Sequence, residues 1–319
     1  MSIPTLPASL EPRFSQPDNL QFHDFKIRDG VGTMRVATAL PENTEPKGTL
    51  LLLPGRTEFI EKFFETARDS LANGYAVLML DWFGQGMSGR SIPAFPERCH
   101  ATDFAETAQD LNELLASDLV AALPKPLHVL AHSMGANILL RTLANNPELP
   151  VDHAVLSAPF VGMIQTDIMP SWLTRLVLSQ LGRKQEEYFF GNHNWSIRER
   201  SNPGRTMFSH DPARDSVHGA WMEANPGLRV AGMTRGWIRA AYQSCAELQK
   251  PETLQKIKTP ILILQAEQDS IVSNRAQNHL VDHLPNARLL VIPHARHEIL
   301  MEADPARKKA IDSIFNWIG

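Results

Sequence analysis

KPLHVLAHSMGANILLRTLANN, residues 125–146, carries the pattern that sets the fold of this 319-residue chain. Residues 127–130 form a short apolar run behind Pro126, long enough for a buried strand and too short for a helix. From Gly135 onward Ile138, Leu139, Thr142 and Leu143 recur at helical spacing, and Asn145-Asn146-Pro147 stops that helix. Ser133 therefore falls at the turn between a buried strand and a helix. Such a turn suits a nucleophile elbow, where a strained backbone pushes a serine hydroxyl out above a helix N-terminus. The pentamer is Ala131-His132-Ser133-Met134-Gly135 rather than G-x-S-x-G. Strand and helix approach too closely there for large side chains, and alanine adds only one methyl. Taken alone, the same serine also fits a plain helix cap.

On either side the chain alternates buried strands with amphipathic helices. Residues 23–28 and 33–40 alternate around Asp29-Gly30 and predict an opening hairpin. A strand over 49–53, a helix over 59–72 closed by Asn73-Gly74, and a strand over 75–81 follow. A helix over 103–123, capped near Thr102 or Asp103, precedes the elbow, and a strand over 151–159 comes after it. Alternation breaks at Phe160 for about ninety residues, which hold four of the six tryptophans: Trp172, Trp195, Trp221 and Trp237. It resumes with a strand over 261–264, a helix over 273–283, a strand over 288–292 and a helix over 305–318. This order implies an α/β fold, a mostly parallel central sheet with helices on both faces. The expected division is a core over 1–159, an insertion over 160–250 and the rest of the core over 251–319.

Composition narrows the function classes. Hydrophobic residues make up 43% of the chain, enough for a sizeable core, and the net charge of −4 gives no reason to expect nucleic acid. Cys99 and Cys245 do not suggest a disulfide framework and fit a reducing compartment. No secretory leader or membrane-spanning stretch is evident, so cytoplasmic residence is expected, with peripheral membrane contact open. The glycine-rich stretch DWFGQGMSG, 81–89, lacks the spacing of a dinucleotide loop and is expected to be a tight structural turn.

A serine hydroxyl is a poor nucleophile until a histidine takes its proton, and the histidine needs a carboxylate to fix its tautomer. In a hydrolase of this layout the acid and then the base follow the serine, each beyond a later strand. Asp269 lies past the strand 261–264, with Glu267 as a rival carboxylate. His297 lies past the strand 288–292, with His294 as its rival. The expected oxyanion donors are the amides of Met134 and Arg56, the Arg56 side chain being free to face substrate. His210 and Asp215 form H-x4-D, a pattern used by some acyltransferases, though two fixed residues are weak support.

With these residues in place, the chain resembles α/β-hydrolases of the bacterial lysophospholipase and monoacylglycerol lipase branch. The matching stretches are LLLPGRTEFIEKF (50–62), LDWFGQGMSGR (80–90), LAHSMGANI (130–138), LRVAGMTRGWIRAAY (228–242), IKTPILILQAEQDSIV (257–272) and ARHEIL (295–300). The likeness covers residues 20 to 318, with Ala131 and His294 standing where these enzymes usually have glycine. It implies a serine esterase, free of cofactor and metal, acting on single-chain lipid esters beneath a helical cap. Trp172 and Leu176, at helical spacing within that cap, are candidates to line an acyl tunnel or meet a lipid surface. A broad carboxylesterase or thioesterase with the same residues is the alternative, as is a silent binding protein on this fold.

Overall fold

The computed structural model describes residues 4–42, 44–164, 181–200 and 203–319. Among them eight strands form one sheet in the order β1-β2-β4-β3-β5-β6-β7-β8. The strands are β1 Gln21–Ile27, β2 Gly32–Ala39, β3 Thr49–Leu53, β4 Ala76–Leu80, β5 Leu127–His132, β6 His153–Ser157, β7 Ile261–Ala266 and β8 Ala287–Ile292. β1 and β2 are the expected antiparallel hairpin, and β2 runs antiparallel to β4. From β4 to β8 every neighbouring pair is parallel.

Every residue of β3, β4, β5 and β7 is buried, because helices cover both faces of the sheet. Side chains alternate by face with period two. Leu51, Leu53, Val129, Ala131 and Ile263 pack with the helices Phe104–Leu115, Met134–Asn145, Arg235–Leu248 and Asn274–His283. Leu50, Leu52, Leu130, Leu262 and Leu264 pack with Phe64–Ala72, Pro212–Ala224 and Asp304–Ile318. Each fully buried leucine contributes roughly 1.5–3 kcal/mol by leaving water.

Two expected helices are interrupted. The first opens as a 3-10 turn, Ile60–Phe63, before the α-helix Phe64–Ala72, and Gly74 closes it at φ +87°. The second starts on Asp103, whose carboxylate accepts from the Ala105 amide, and stops at Leu115. Ser117 breaks it, since its hydroxyl donates to the Leu114 carbonyl at 2.6 Å and caps a new turn at Val120.

Strand β3 leads into a helix on one face, and its neighbour β5 leads into a helix on the other. Their carboxyl ends thus flank a topological switch point, where open α/β sheets place their ligands. Leu53 pairs with Ala131 in register, which sets the loop after β3 beside Ser133. The tunnel candidates Trp172 and Leu176 lie outside the described residues.

Candidate active site

Ser133 directly follows β5, with φ +50° and ψ −114°, a region that residues with a side chain seldom occupy. The helix Met134–Asn145 starts at the next residue, so its N-terminus points at the hydroxyl. Gly135 shows why the turn is so tight: a Cβ there would lie 2.6 Å from the carbonyl oxygens of both Leu53 and Pro54. On the other side of the serine the Ala131 methyl is fully buried in the core, which is why alanine is accepted at that position.

The three side chains expected beyond β5, β7 and β8 meet. His297 Nε2 is 3.0 Å from Ser133 Oγ, and His297 Nδ1 is 2.8 Å from Asp269 Oδ2. Asp269 Oδ1 accepts from the amides of Ile271 at 2.8 Å and Val272 at 3.1 Å. Burial opposes ionisation of Asp269, but the hydrogen bond and charge of His297, with the two amides, outweigh it and hold its pKa below the ordinary value. An ionised Asp269 fixes the proton on Nδ1 of His297 and leaves Nε2 open to take one from the serine.

The rivals are turned elsewhere. His294 projects into solvent, 86% exposed, while its amide donates to Glu267 Oε2 at 2.7 Å. Glu267 thus holds the histidine loop rather than a histidine ring facing Ser133. His294 also has φ +59°, a left-handed geometry that glycine adopts freely. His210 pairs with Glu302 at 3.0 Å, whereas Asp215 receives the Gly204 amide and the Thr206 hydroxyl, so H-x4-D is part of the packing.

Among the described residues the amides of Arg56 and Met134 have no hydrogen-bond acceptor, as donors awaiting an oxyanion require. The Arg56 side chain departs from expectation. Its guanidinium donates to the Ala231 carbonyl at 3.1 Å and lies over the Trp237 ring at 5.8 Å. It is engaged by the segment 231–237 instead of standing free.

Sequence reasoning misses a buried charge cluster beneath these loops. Lys62 Nζ sits 2.7 Å from both Glu58 Oε1 and Glu298 Oε1, and His132 Nδ1 is 2.8 Å from Glu58 Oε2. Glu58 Oε2 also accepts from the Gly55 amide, and His132 Nε2 is 3.4 Å from the His297 carbonyl. All four side chains are buried. Burial disfavours both charges, yet His132 and Lys62 hold the Glu58 pKa low, and Glu58 holds that of His132 above its usual value. The i, i+4 spacing of Glu58 and Lys62 is the one visible hint, and it is equally the mark of an exposed helix pair.

Segments of the 160–250 region brace the histidine loop. Arg296 Nη1 donates to the carbonyls of Thr206 and Ser209, and the Glu298 amide donates to the Phe208 carbonyl at 2.9 Å. Among the described residues no group of three His, Cys, Asp or Glu side chains is arranged to hold a metal ion.

A family model described as serine aminopeptidase, S33, matches residues 44–304. The chain is 32% identical to a probable lysophospholipase L2 of Haemophilus influenzae over 301 residues, covering 93% of each. It is 30% identical to lysophospholipase L2 of Escherichia coli over 279 residues, covering 84% of this chain and 79% of that one. Its fold is that of a soluble variant of monoglyceride lipase from Saccharomyces cerevisiae, with a TM-score of 0.74, 19% identity and 98% of each chain covered.

Proposed function

The chain belongs to the serine aminopeptidase S33 family of α/β-hydrolases, and from that membership we propose that it hydrolyses carboxylic esters of single-chain lipids, lysophospholipids or monoacylglycerols. The observation that carries this reading is the unbroken line from Asp269 through His297 to Ser133, at 2.8 and 3.0 Å, on a strained elbow. Ser133 Oγ attacks the ester carbonyl carbon as its proton passes to His297 Nε2. The amides of Met134 and Arg56 take the oxyanion, the carbonyl re-forms, and the departing alcohol carries away the proton from His297. Water then attacks the acyl-enzyme with His297 as base, releasing the fatty acid and restoring the serine. Asp269 keeps His297 in the tautomer that both steps need.

The region 160–250 serves as a cap, supported by its contacts to the loops of Arg56 and His297. Trp172 and Leu176 line the acyl path in this proposal. Reduced, buried Cys99 and Cys245 support a cytoplasmic site of action. Peripheral lipid contact is supported by Phe190, Ile197 and Met207, whose side chains are exposed in the same region. No helix among the described residues is long and apolar enough to cross a membrane.

The test is labelling of the purified protein by a fluorophosphonate, with hydrolysis measured across lysophospholipids, monoacylglycerols and p-nitrophenyl esters. Labelling that disappears in Ser133→Ala, with turnover of a single-chain lipid ester, is the expected result. An unlabelled, inactive protein overturns it.

A further inference from the structure

The loop after β4 is hydrogen-bonded to Pro54, Gly55, Thr57 and Ile60, on both sides of Arg56. Trp82 Nε1 donates to the Pro54 carbonyl at 2.8 Å, and Asp81 Oδ1 accepts from the Ile60 amide at 2.8 Å. Between these rivets lies Gln85, buried with 4% of its surface exposed. Its Nε2 donates to the Gly55 carbonyl at 3.1 Å, and its Oε1 accepts from the Thr57 amide at 2.7 Å. One carboxamide therefore grips the main chain immediately before and immediately after Arg56.

The grip holds a conformation the chain does not favour. Thr57 has φ +61°, costly for a β-branched residue, and its hydroxyl donates to the Arg56 carbonyl at 2.6 Å. The amides of Gly55 and Thr57 are tied back into the protein, while among the described residues the Arg56 amide between them has no acceptor. The loop that carries Gln85 is itself tightly folded. Gly86 has φ +53°, and a Cβ there would lie 2.1 Å from the Asp81 carboxyl carbon.

We infer that Gln85 is a positioning residue for oxyanion stabilisation, its side-chain amide fixing the peptide on each side of Arg56 so that the Arg56 N–H faces the reacting carbonyl. The inference rests on the proposed role of that amide in ester hydrolysis. Only a side chain with one donor and one acceptor at this reach performs both halves of the grip. A methionine of similar length performs neither. A carboxylate accepts from Thr57 but sets an acceptor against the Gly55 carbonyl, and its protonated form regains the donor.

The experiment compares wild type, Gln85→Met and Gln85→Glu on p-nitrophenyl butyrate, with an alkyl boronic acid as a tetrahedral probe. Gln85→Met is expected to lower kcat about 10- to 100-fold with KM changed less than about 3-fold, since an oxyanion donor acts on the transition state. Its inhibition constant for the boronic acid rises by a similar factor. For Gln85→Glu, the ratio of its kcat to that of wild type increases as pH is lowered and the new carboxyl takes up a proton. A role confined to packing leaves kcat of Gln85→Met within about 3-fold of wild type and the Gln85→Glu ratio flat with pH. Either result overturns the inference. If Gln85→Met does not fold, the pH profile of Gln85→Glu decides alone. Fluorophosphonate labelling of wild type keeps the two levels apart: an unlabelled wild type fails the hydrolase reading, and a labelled one with an indifferent Gln85 fails only this one.

Discussion

His132 Nδ1 stands 2.8 Å from Glu58 Oε2, so the residue beside Ser133 is joined through a buried charge to the loop that carries Arg56. Protonated, His132 donates from both nitrogens, to Glu58 on one side and toward the His297 carbonyl on the other. Lys62 closes the cluster by bridging Glu58 to Glu298, the neighbour of His297. Three loops that arrive from distant parts of the sequence are thus held in one frame. Such clusters are expensive to bury, and their cost is repaid only while every member keeps its partner.

Removing one charge should therefore be worse than its contacts suggest. Glu58→Gln keeps an acceptor for the Gly55 amide but leaves His132 unmatched and Lys62 with one carboxylate. A loss of about 3 kcal/mol in urea unfolding at pH 7 is expected, at the low end for a broken buried pair. His132→Asn should remove most of the same interaction, so the double change costs clearly less than the sum. Fully additive losses would show that the pair is not coupled. Because the His132 pKa is raised in the folded state, its share of stability is present below the unfolded value of 6.5 and fades as pH rises through the folded one. Glu58→Gln should flatten that alkaline decline.

The two histidines of the last strand's loop separate cleanly. His294→Gly should leave ester hydrolysis within about 2-fold of wild type, since the ring faces solvent. Relief of the left-handed strain and the added freedom of the unfolded chain nearly cancel, giving a stability change within about 1 kcal/mol. His297→Ala should lower kcat by several orders of magnitude, and combining it with Ser133→Ala should add little. Loss of turnover in His294→Gly with a retained Tm contradicts the assignment of the base.

Ser133, Asp269 and His297 are legible in the sequence because each follows a strand whose apolar run is unmistakable. The turn chemistry and the chain order do the rest. The amides of Arg56 and Met134, which the proposed reading takes as oxyanion donors, are main-chain positions next to recognisable turns. The Glu58, Lys62, His132 and Glu298 cluster is not, because it joins residues up to 240 apart and no periodicity encodes the meeting. Gln85 is hidden differently. Within DWFGQGMSG the glycines announce a tight turn, but nothing announces that the one amide side chain among them reaches across to another loop. The break at Ser117 escapes because helical propensity carries through it, and only the local hydroxyl bonds decide against continuation. His294 shows the reverse: its place in a glycine position is visible, while the φ of +59° that explains the glycine needs the fold.

At the opposite end of the sheet, His128 should make the protein acid-sensitive. Its ring is buried against Tyr75 and His153, and neither nitrogen has a hydrogen-bond partner among the described residues. Burial first, and the charge of His153 second, push its pKa from 6.5 down to about 4. The folded state thus prefers the neutral ring, so this contribution is intact above pH 6.5 and is lost as pH falls to about 4. The difference amounts to about 3 kcal/mol across that window. Urea unfolding at intervals from pH 7 to 4 should show this loss in wild type and a shallower one in His128→Phe. Parallel curves for the two proteins would place the sensitivity elsewhere.

Arg56 separates a main-chain role from a side-chain role at one position. If its amide holds the oxyanion, Arg56→Pro removes the N–H and should cost on the order of 100-fold or more in kcat. Arg56→Ala keeps the amide and loses the guanidinium. A free guanidinium would favour the phosphate of a lysophospholipid, and its removal would then harm that substrate selectively. The observed guanidinium is committed to the Ala231 carbonyl and the Trp237 ring, so its loss loosens the contact between the loop after β3 and the 231–237 segment for every substrate alike. Arg56→Ala is therefore expected to lower kcat/KM for a monoacylglycerol and a lysophospholipid by the same modest factor, below about 10-fold. Steady-state kinetics of both variants on both esters provide the check. A drop confined to the phosphate-bearing ester shows that the side chain leaves Ala231 to bind substrate, and an Arg56→Pro enzyme as fast as wild type removes the amide from the mechanism.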